Sequence, residues 1–156
     1  MYRFYGMPFN SPFAGLFVLP DDYLSLLADR SRLYAPLTVT DGPDGYPIGR
    51  FPTGEAIHFL HYGSAQEASD KWARRIGRID WDNCIVKFSE NNGCTPEHLR
   101  RFDALPYARK VAFTCHRYPD LLSAFYLSEF SGEEQLGKYW KIADLHYNLQ
   151  RHADAR

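Results

Sequence analysis

The feature that most constrains this chain is an alternation of short apolar segments with amphipathic segments between residues 55 and 115. Three apolar runs have the length of buried strands, namely Glu55–Tyr62, Cys84–Ser89 and Lys110–Cys115. The segments between them have helical spacing. Strand, helix, strand, helix, strand is the pattern of βαβ units, whose strands run parallel. The sequence therefore predicts an α/β, Rossmann-like fold, with a mostly parallel sheet flanked by helices.

Helix start signals mark both segments between these strands. The S-x-x-E capping box at residues 64–67 predicts a helix that begins at Ala65. Thr95, followed by proline at the first helical position, predicts a second helix that ends near Ala104. Upstream, the apolar run Ala14–Pro20 predicts a short strand, and acidic residues directly after it favour the start of a helix.

Length and composition fit one soluble domain. The 156 residues include 45% hydrophobic and 24% charged residues, which suits a globular core. We expect one domain over residues 1–150 and a loose tail at residues 151–156. The formal net charge of -1 gives no general attraction to nucleic acid, and no apolar run approaches the roughly 20 residues that span a bilayer. Three well-separated cysteines favour a reducing, cytoplasmic location over a disulfide framework.

Polar side chains follow each predicted strand at its carboxyl end. In a parallel sheet these ends share one edge, and α/β proteins bind their ligands there. The first strand contributes His61 and the third contributes His116, which are our candidates for acid–base catalysis. The second strand is followed by three candidate ligand-binding residues: Glu90, Asn91 and Asn92.

Metal and cofactor sites are not predicted. His58 and His61 stand three residues apart on a predicted strand, so their side chains point to opposite faces. Cys115 and His116 are neighbours on a strand and would also point apart, so the thiol would need another partner to act as a nucleophile. The sequence contains no glycine-rich phosphate-binding loop and no G-x-S-x-G elbow.

The helix predicted after residue 64 carries a cluster of basic side chains. Lys71 and Arg74 each have an acidic residue four positions earlier, which accounts for them as solvated ion pairs. Arg75 and Arg78 have no such partner, and they could bind a phosphate or an acidic sugar. The alternative is an ordinary solvated helix face.

Five segments, in order along the chain, carry a resemblance to a known family. They are Gly6–Phe17, Ile57–Tyr62, Lys71–Asn83, Arg101–Tyr107 and Ser123–Tyr126. Together they resemble an uncharacterised bacterial family whose members are often described as exopolysaccharide or capsular polysaccharide biosynthesis proteins. The resemblance implies a compact α/β fold and a link to surface polysaccharide assembly, and it adds Asn10 as a candidate ligand contact. Relatives carry an extra strand before the segment that matches residues 2–10, so we expect this chain to lack that strand.

These observations predict a protein of surface polysaccharide biosynthesis, a transferase that modifies a sugar or its activated precursor. The expected ligand is a carbohydrate or an anionic activated sugar, without nucleic acid or a membrane span, and the chain could form a homo-oligomer. The alternative is a non-catalytic binding or assembly subunit, which the lack of a recognised catalytic motif favours. An unpaired strand edge in such a subunit could recruit another chain.

Overall fold

The structure is a computed structural model, and it describes residues 11–139. Within this range, residues 11–82 form one compact unit, the N-terminal unit, and residues 83–139 form a second, the C-terminal unit. Each unit contains a three-stranded sheet and a hydrophobic cluster of its own. None of the helices in the described range is long and apolar enough to cross a membrane.

The N-terminal unit combines two α-helices with an antiparallel sheet. Its helices are α1 (Pro20–Ala28), a 3₁₀ helix (Arg30–Tyr34) and α2 (Ala65–Ile76). Its strands, in the order β1-β2-β3, are β1 (Thr38–Asp41), β2 (Pro47–Arg50) and β3 (Ala56–His58). Helix α2 begins where the capping signal predicts, because the Ser64 hydroxyl accepts the backbone N–H of Glu67 at 3.2 Å. Its apolar face packs Trp72 into the core.

The C-terminal unit contains a parallel sheet built on one βαβ crossover. Its elements are β4 (Val86–Ser89), α3 (Pro96–Asp103), β5 (Lys110–Thr114), β6 (Ala124–Tyr126) and a 3₁₀ helix (Ser128–Phe130). The sheet order is β4-β5-β6, and both pairings are parallel. Thr95 caps α3 as predicted, with its hydroxyl accepting the backbone N–H of His98. The carboxyl ends of β4, β5 and β6 therefore lie along one edge of this sheet.

The predicted α/β class is confirmed, but a single, mostly parallel sheet is not. Strand β3 pairs antiparallel with β2, and it belongs to a different sheet from β4 and β5. The predicted strand at Ala14–Pro20 forms only an isolated bridge, between Phe17 and His58. The single domain over residues 1–150 stays a prediction, and the predicted tail lies outside the described residues.

A buried carboxylate, Glu55, joins α1 and the 3₁₀ helix to the segment before β3. Glu55 is 5% exposed, and its Oε1 accepts hydrogen bonds from Ser25 Oγ and Arg32 Nη1, both at 2.6 Å. Its Oε2 accepts a further hydrogen bond from the Thr53 hydroxyl. Burial alone raises the pKa of Glu55, but these hydrogen bonds outweigh it and lower the pKa to about 2.

We predict that Glu55→Gln lowers the free energy of unfolding by about 3 kcal/mol, because Ser25, Arg32 and Thr53 would then donate to a neutral amide instead of a buried carboxylate. A carboxylate with a depressed folded pKa stabilises above its unfolded pKa of about 4.3. The deficit of the variant should therefore be full at neutral pH and shrink as the pH falls toward about 2. Urea unfolding measured across this range tests it, with the exposed Asp44→Asn as control. A deficit that stays constant down to the lowest pH would contradict the assignment.

Candidate functional site

A buried glutamate lies at the carboxyl edge of the parallel sheet. Glu90 directly follows β4, whereas Cys115 and His116 directly follow β5. The backbone continues the strand pairing past β4, since the N–H of Glu90 donates to the Phe113 carbonyl at 2.9 Å. Glu90 is only 4% exposed. Its carboxylate is therefore placed inside the protein, against the loop that leaves β5.

Five donors from that loop converge on the Glu90 carboxylate. Oε2 accepts the backbone N–H groups of Cys115 at 2.8 Å and His116 at 3.1 Å, and it lies 3.3 Å from the Cys115 thiol. Oε1 accepts the Tyr118 hydroxyl at 2.5 Å and lies 3.0 Å from His116 Nδ1. Residues 115–118 therefore wrap around this one carboxylate, and their five donors occupy all of its roughly four lone-pair sites.

These hydrogen bonds fix the charge of Glu90 and the tautomer of His116. Burial raises the pKa of Glu90, but hydrogen bonds from Tyr118, His116 and the backbone outweigh it, so the net shift is downward. An ionised carboxylate can only accept hydrogen bonds, so Nδ1 of His116 must carry a proton. In the neutral ring, Nε2 then carries the lone pair. The His116 side chain is 51% exposed, so a ligand can reach this ring.

Cys115 has the surroundings of a hydrogen-bond donor rather than of a nucleophile. It is 2% exposed, and burial together with the Glu90 charge raises the pKa of its thiol to about 11. Its Sγ lies 3.4 Å from Nδ1 of His116, the same nitrogen that faces Glu90. A nucleophile–base–acid triad needs the two opposite ring nitrogens for these contacts. The thiol therefore donates to Glu90.

The structure corrects the prediction that Cys115 and His116 point apart. That prediction assumed a continuous strand, but β5 ends at Thr114. The Thr114 hydroxyl then donates to the His116 carbonyl at 2.8 Å, which fixes a turn directly after the strand. Because of this turn, both following side chains face Glu90.

Glu90, Cys115 and His116 also form a group that could hold a metal ion, with ligand atoms within 4.8 Å of one another. Tetrahedral zinc would separate such ligand atoms by about 3.3–3.6 Å, and the contacts among these three groups measure 3.0, 3.3 and 3.4 Å. An ion would have to displace the protons of the thiol and of Nδ1. Hydrogen bonds also account for the same distances, so the absence of a metal stays a prediction.

Asn91 and Asn92 shape the loop that follows Glu90. Asn91 accepts a hydrogen bond from the Ser89 hydroxyl at 3.0 Å. Asn92 has a positive φ of 53°, a conformation that asparagine tolerates better than most residues, and its N–H donates to Gln135 Oε1 at 3.1 Å. Both asparagines thus have a local structural role, and their role in ligand binding stays a prediction.

The strand that precedes His61 does not belong to the parallel sheet. Strand β3 ends at His58, so His61 lies in an exposed turn three residues later. This strand belongs to the antiparallel sheet of the N-terminal unit. A common parallel sheet would place His61 beside Glu90, but β3 and β4 belong to different sheets.

The remaining candidates divide between the N-terminal unit and the undescribed segment. Arg75 Nη1 donates to the Ala14 carbonyl at 2.8 Å, so it fastens the segment before α1 to helix α2. This contact gives Arg75 a structural role that the sequence did not suggest. Arg78 is exposed, just past the end of α2. Asn10 lies outside the described residues.

Tyr118 is a site residue that the sequence reasoning missed. Burial and the hydrogen bond to Glu90 raise its pKa well above the usual range of a phenol, so its hydroxyl remains a donor at neutral pH. The available signal was its position in the loop directly after a predicted strand. Cys94, whose pKa burial and the charges of Glu90 and Cys115 raise to about 12, was also missed.

We predict that iodoacetamide modifies Cys115 slowly in the folded protein at about pH 8, because a buried thiol with a pKa of about 11 supplies little thiolate. The partly exposed Cys84 should react faster. Peptide mass spectrometry over a time course measures both rates, and the urea-unfolded chain provides the reference. Modification of Cys115 as fast as in the unfolded chain would refute this account of the thiol.

We predict that the neutral ring of His116 carries its proton on Nδ1, which ¹⁵N–¹H correlation of the ring nitrogens at alkaline pH detects. A ring protonated on Nε2 alone would disprove the assigned tautomer.

We predict that Glu90→Gln lowers the free energy of unfolding by about 3 kcal/mol, because an amide cannot accept all five donors. Since the folded pKa of Glu90 is depressed, this deficit should be full above about pH 4.3 and shrink below it. The exposed Glu134→Gln is the matched control.

Comparisons with known proteins relate the chain to one family. It is 38% identical over 137 residues to an uncharacterized protein of Haemophilus influenzae, an alignment that covers 87% of this chain and 66% of the relative. The chain thus spans just under two thirds of that relative's length. A family model described as "Domain of unknown function (DUF1919)" matches residues 1–155. Neither description names polysaccharide biosynthesis. The chain belongs to the DUF1919 family.

Proposed function

We propose that the C-terminal unit carries the general-base site of a transferase that acts on a sugar hydroxyl. The observation that supports this most is the contact of 3.0 Å between Glu90 Oε1 and His116 Nδ1. A buried, ionised carboxylate that accepts the Nδ1 proton orients the ring and leaves Nε2 as a base. The ring is half exposed, so a substrate hydroxyl can approach it.

The reaction class follows from which groups can act. Cys115 is a poor nucleophile in this setting, so a covalent thioester or thioether intermediate is disfavoured. We therefore favour direct transfer to the acceptor. The acceptor oxygen forms a bond to the electrophilic atom of an activated donor, the leaving group departs with its bonding electrons, and Nε2 of His116 takes the hydroxyl proton. Glu90 stays ionised and stabilises the imidazolium that forms.

The substrate class and the compartment are supported by the sequence segments and by the amides of the loop after Glu90. The chain resembles proteins of surface polysaccharide assembly in its sequence segments, and activated sugar donors are cytoplasmic metabolites. Two amides, Asn91 and Asn92, stand in the loop after Glu90, and amides suit hydrogen bonding to sugar hydroxyls. A cytoplasmic sugar-modifying enzyme is therefore the form of the proposal that we favour.

A second candidate is metal-assisted hydrolysis, because Glu90, Cys115 and His116 offer ligand atoms within 4.8 Å of one another. Zinc held by three protein ligands would activate a water molecule for attack. Titration with Zn²⁺ separates the two candidates. Stoichiometric binding that raises the melting temperature of the wild type, but not of Cys115→Ser, would support the hydrolase.

We predict that His116→Asn lowers the transfer rate by about 100-fold or more, the usual contribution of a general base, while the melting temperature changes little. His61→Asn is the matched histidine control and should keep full activity. Full-length protein is incubated with activated sugar or acyl donors and sugar acceptors, and mass spectrometry measures the product. Activity lost in the control but kept in His116→Asn would refute the site. Absence of product, together with normal polysaccharide in cells that carry His116→Asn, would favour a non-catalytic subunit.

A further inference from the structure

Arg117 is held at the edge of the parallel sheet by an aromatic ring. Its guanidinium carbon lies 4.4 Å from the centroid of the Tyr126 ring, which is a favourable cation–π distance. Tyr126 is the last residue of β6 and stands beside Thr114 in the parallel pairing. Arg117 is exposed, and within residues 11–139 no carboxylate forms an ion pair with it.

The loop after β5 directs the side chains of His116 and Arg117 toward different neighbouring strands. On either side of Arg117, the side chains of His116 and Tyr118 are hydrogen-bonded to Glu90, which follows β4. The Arg117 side chain instead reaches the ring at the end of β6. Since β4 and β6 flank β5, the base and the guanidinium leave one turn at the same carboxyl edge.

Two other positive groups of the C-terminal unit, the amino end of α3 and the Lys87 ammonium, are already engaged. The amino end of α3 is capped, because Thr95 Oγ1 accepts the N–H of His98 at 3.4 Å and His98 Nδ1 accepts the N–H of Thr95 at 3.0 Å. The Lys87 ammonium lies 5.5 Å and 5.4 Å from the centroids of the Phe113 and Tyr139 rings. Arg117 thus supplies an exposed cation that neither of these groups provides.

We propose that Arg117, braced on Tyr126, binds an oxyanion of the substrate while His116 deprotonates its hydroxyl. This inference rests on the proposed function and narrows its substrate class to anionic sugars, which carry a phosphate or a carboxylate. Guanidinium binds either oxyanion through two parallel hydrogen bonds. The aromatic ring carries no net charge, so the guanidinium keeps its full positive charge for an anion.

The test measures binding of three probes to the full-length chain by calorimetry: glucose 1-phosphate, glucuronate and glucose. Both anionic sugars should bind about tenfold or more tightly than glucose. Arg117→Gln should remove this preference, Arg117→Lys should restore part of it, and Tyr126→Leu should weaken it. Arg100→Gln, which alters an exposed arginine of α3, is the matched control and should bind like the wild type. The relative affinities of the two anionic probes show which oxyanion is preferred.

Three outcomes would overturn the inference: equal binding of glucose and the anionic sugars, unchanged anion binding in Arg117→Gln, or no wild-type binding at about 10 mM probe. His116→Asn separates the inference from the proposed function. It should retain anion binding while losing transfer. If anion binding depends on Arg117 but the protein has no transferase activity, the proposed function is contradicted and the Arg117 site is still supported.

Discussion

The C-terminal unit depends on the burial of one negative charge. Removing a carboxylate from water costs several kcal/mol unless hydrogen bonds replace the lost solvation. Glu90 recovers that solvation from two backbone N–H groups, a thiol, a phenol and an imidazole. These donors all come from residues 115–118, so the hydrogen bonds that solvate the Glu90 carboxylate also fix the conformation of this loop. The orientation of His116 is then a consequence of solvating Glu90.

Much of the site could be predicted from sequence because its signals are local. Capping residues placed the starts of α2 and α3, and apolar runs placed β4 and β5. The parallel arrangement of β4 and β5 then requires their following loops to share an edge. That single rule predicts that Glu90 and His116 lie together, and their contact confirms it, whereas the roles of both residues in a reaction remain predictions.

The rest depends on pairings between distant segments, which no local pattern encodes. Strands β1 and β2 are short, largely exposed or rich in turn residues, and they resemble a loop in sequence. Because β3 pairs with β2, His61 belongs to an antiparallel sheet. The hydrogen bond of Arg75 also joins distant segments, since its partner Ala14 lies 61 positions away. Sequence reasoning also missed Tyr118, whose contact with Glu90 depends on the turn that follows β5.

The loop after β5 has little freedom to change its length. Cys115, His116 and Tyr118 each contact Glu90, and Arg117 contacts Tyr126. Inserting or deleting one residue within 115–118 would shift the side chains that follow the change, so that they no longer reach Glu90 or Tyr126. The residues just beyond this stretch make none of these contacts, and Leu122 there is 92% exposed. Natural length variation among relatives should therefore concentrate at 119–122, with the four preceding positions kept in fixed number.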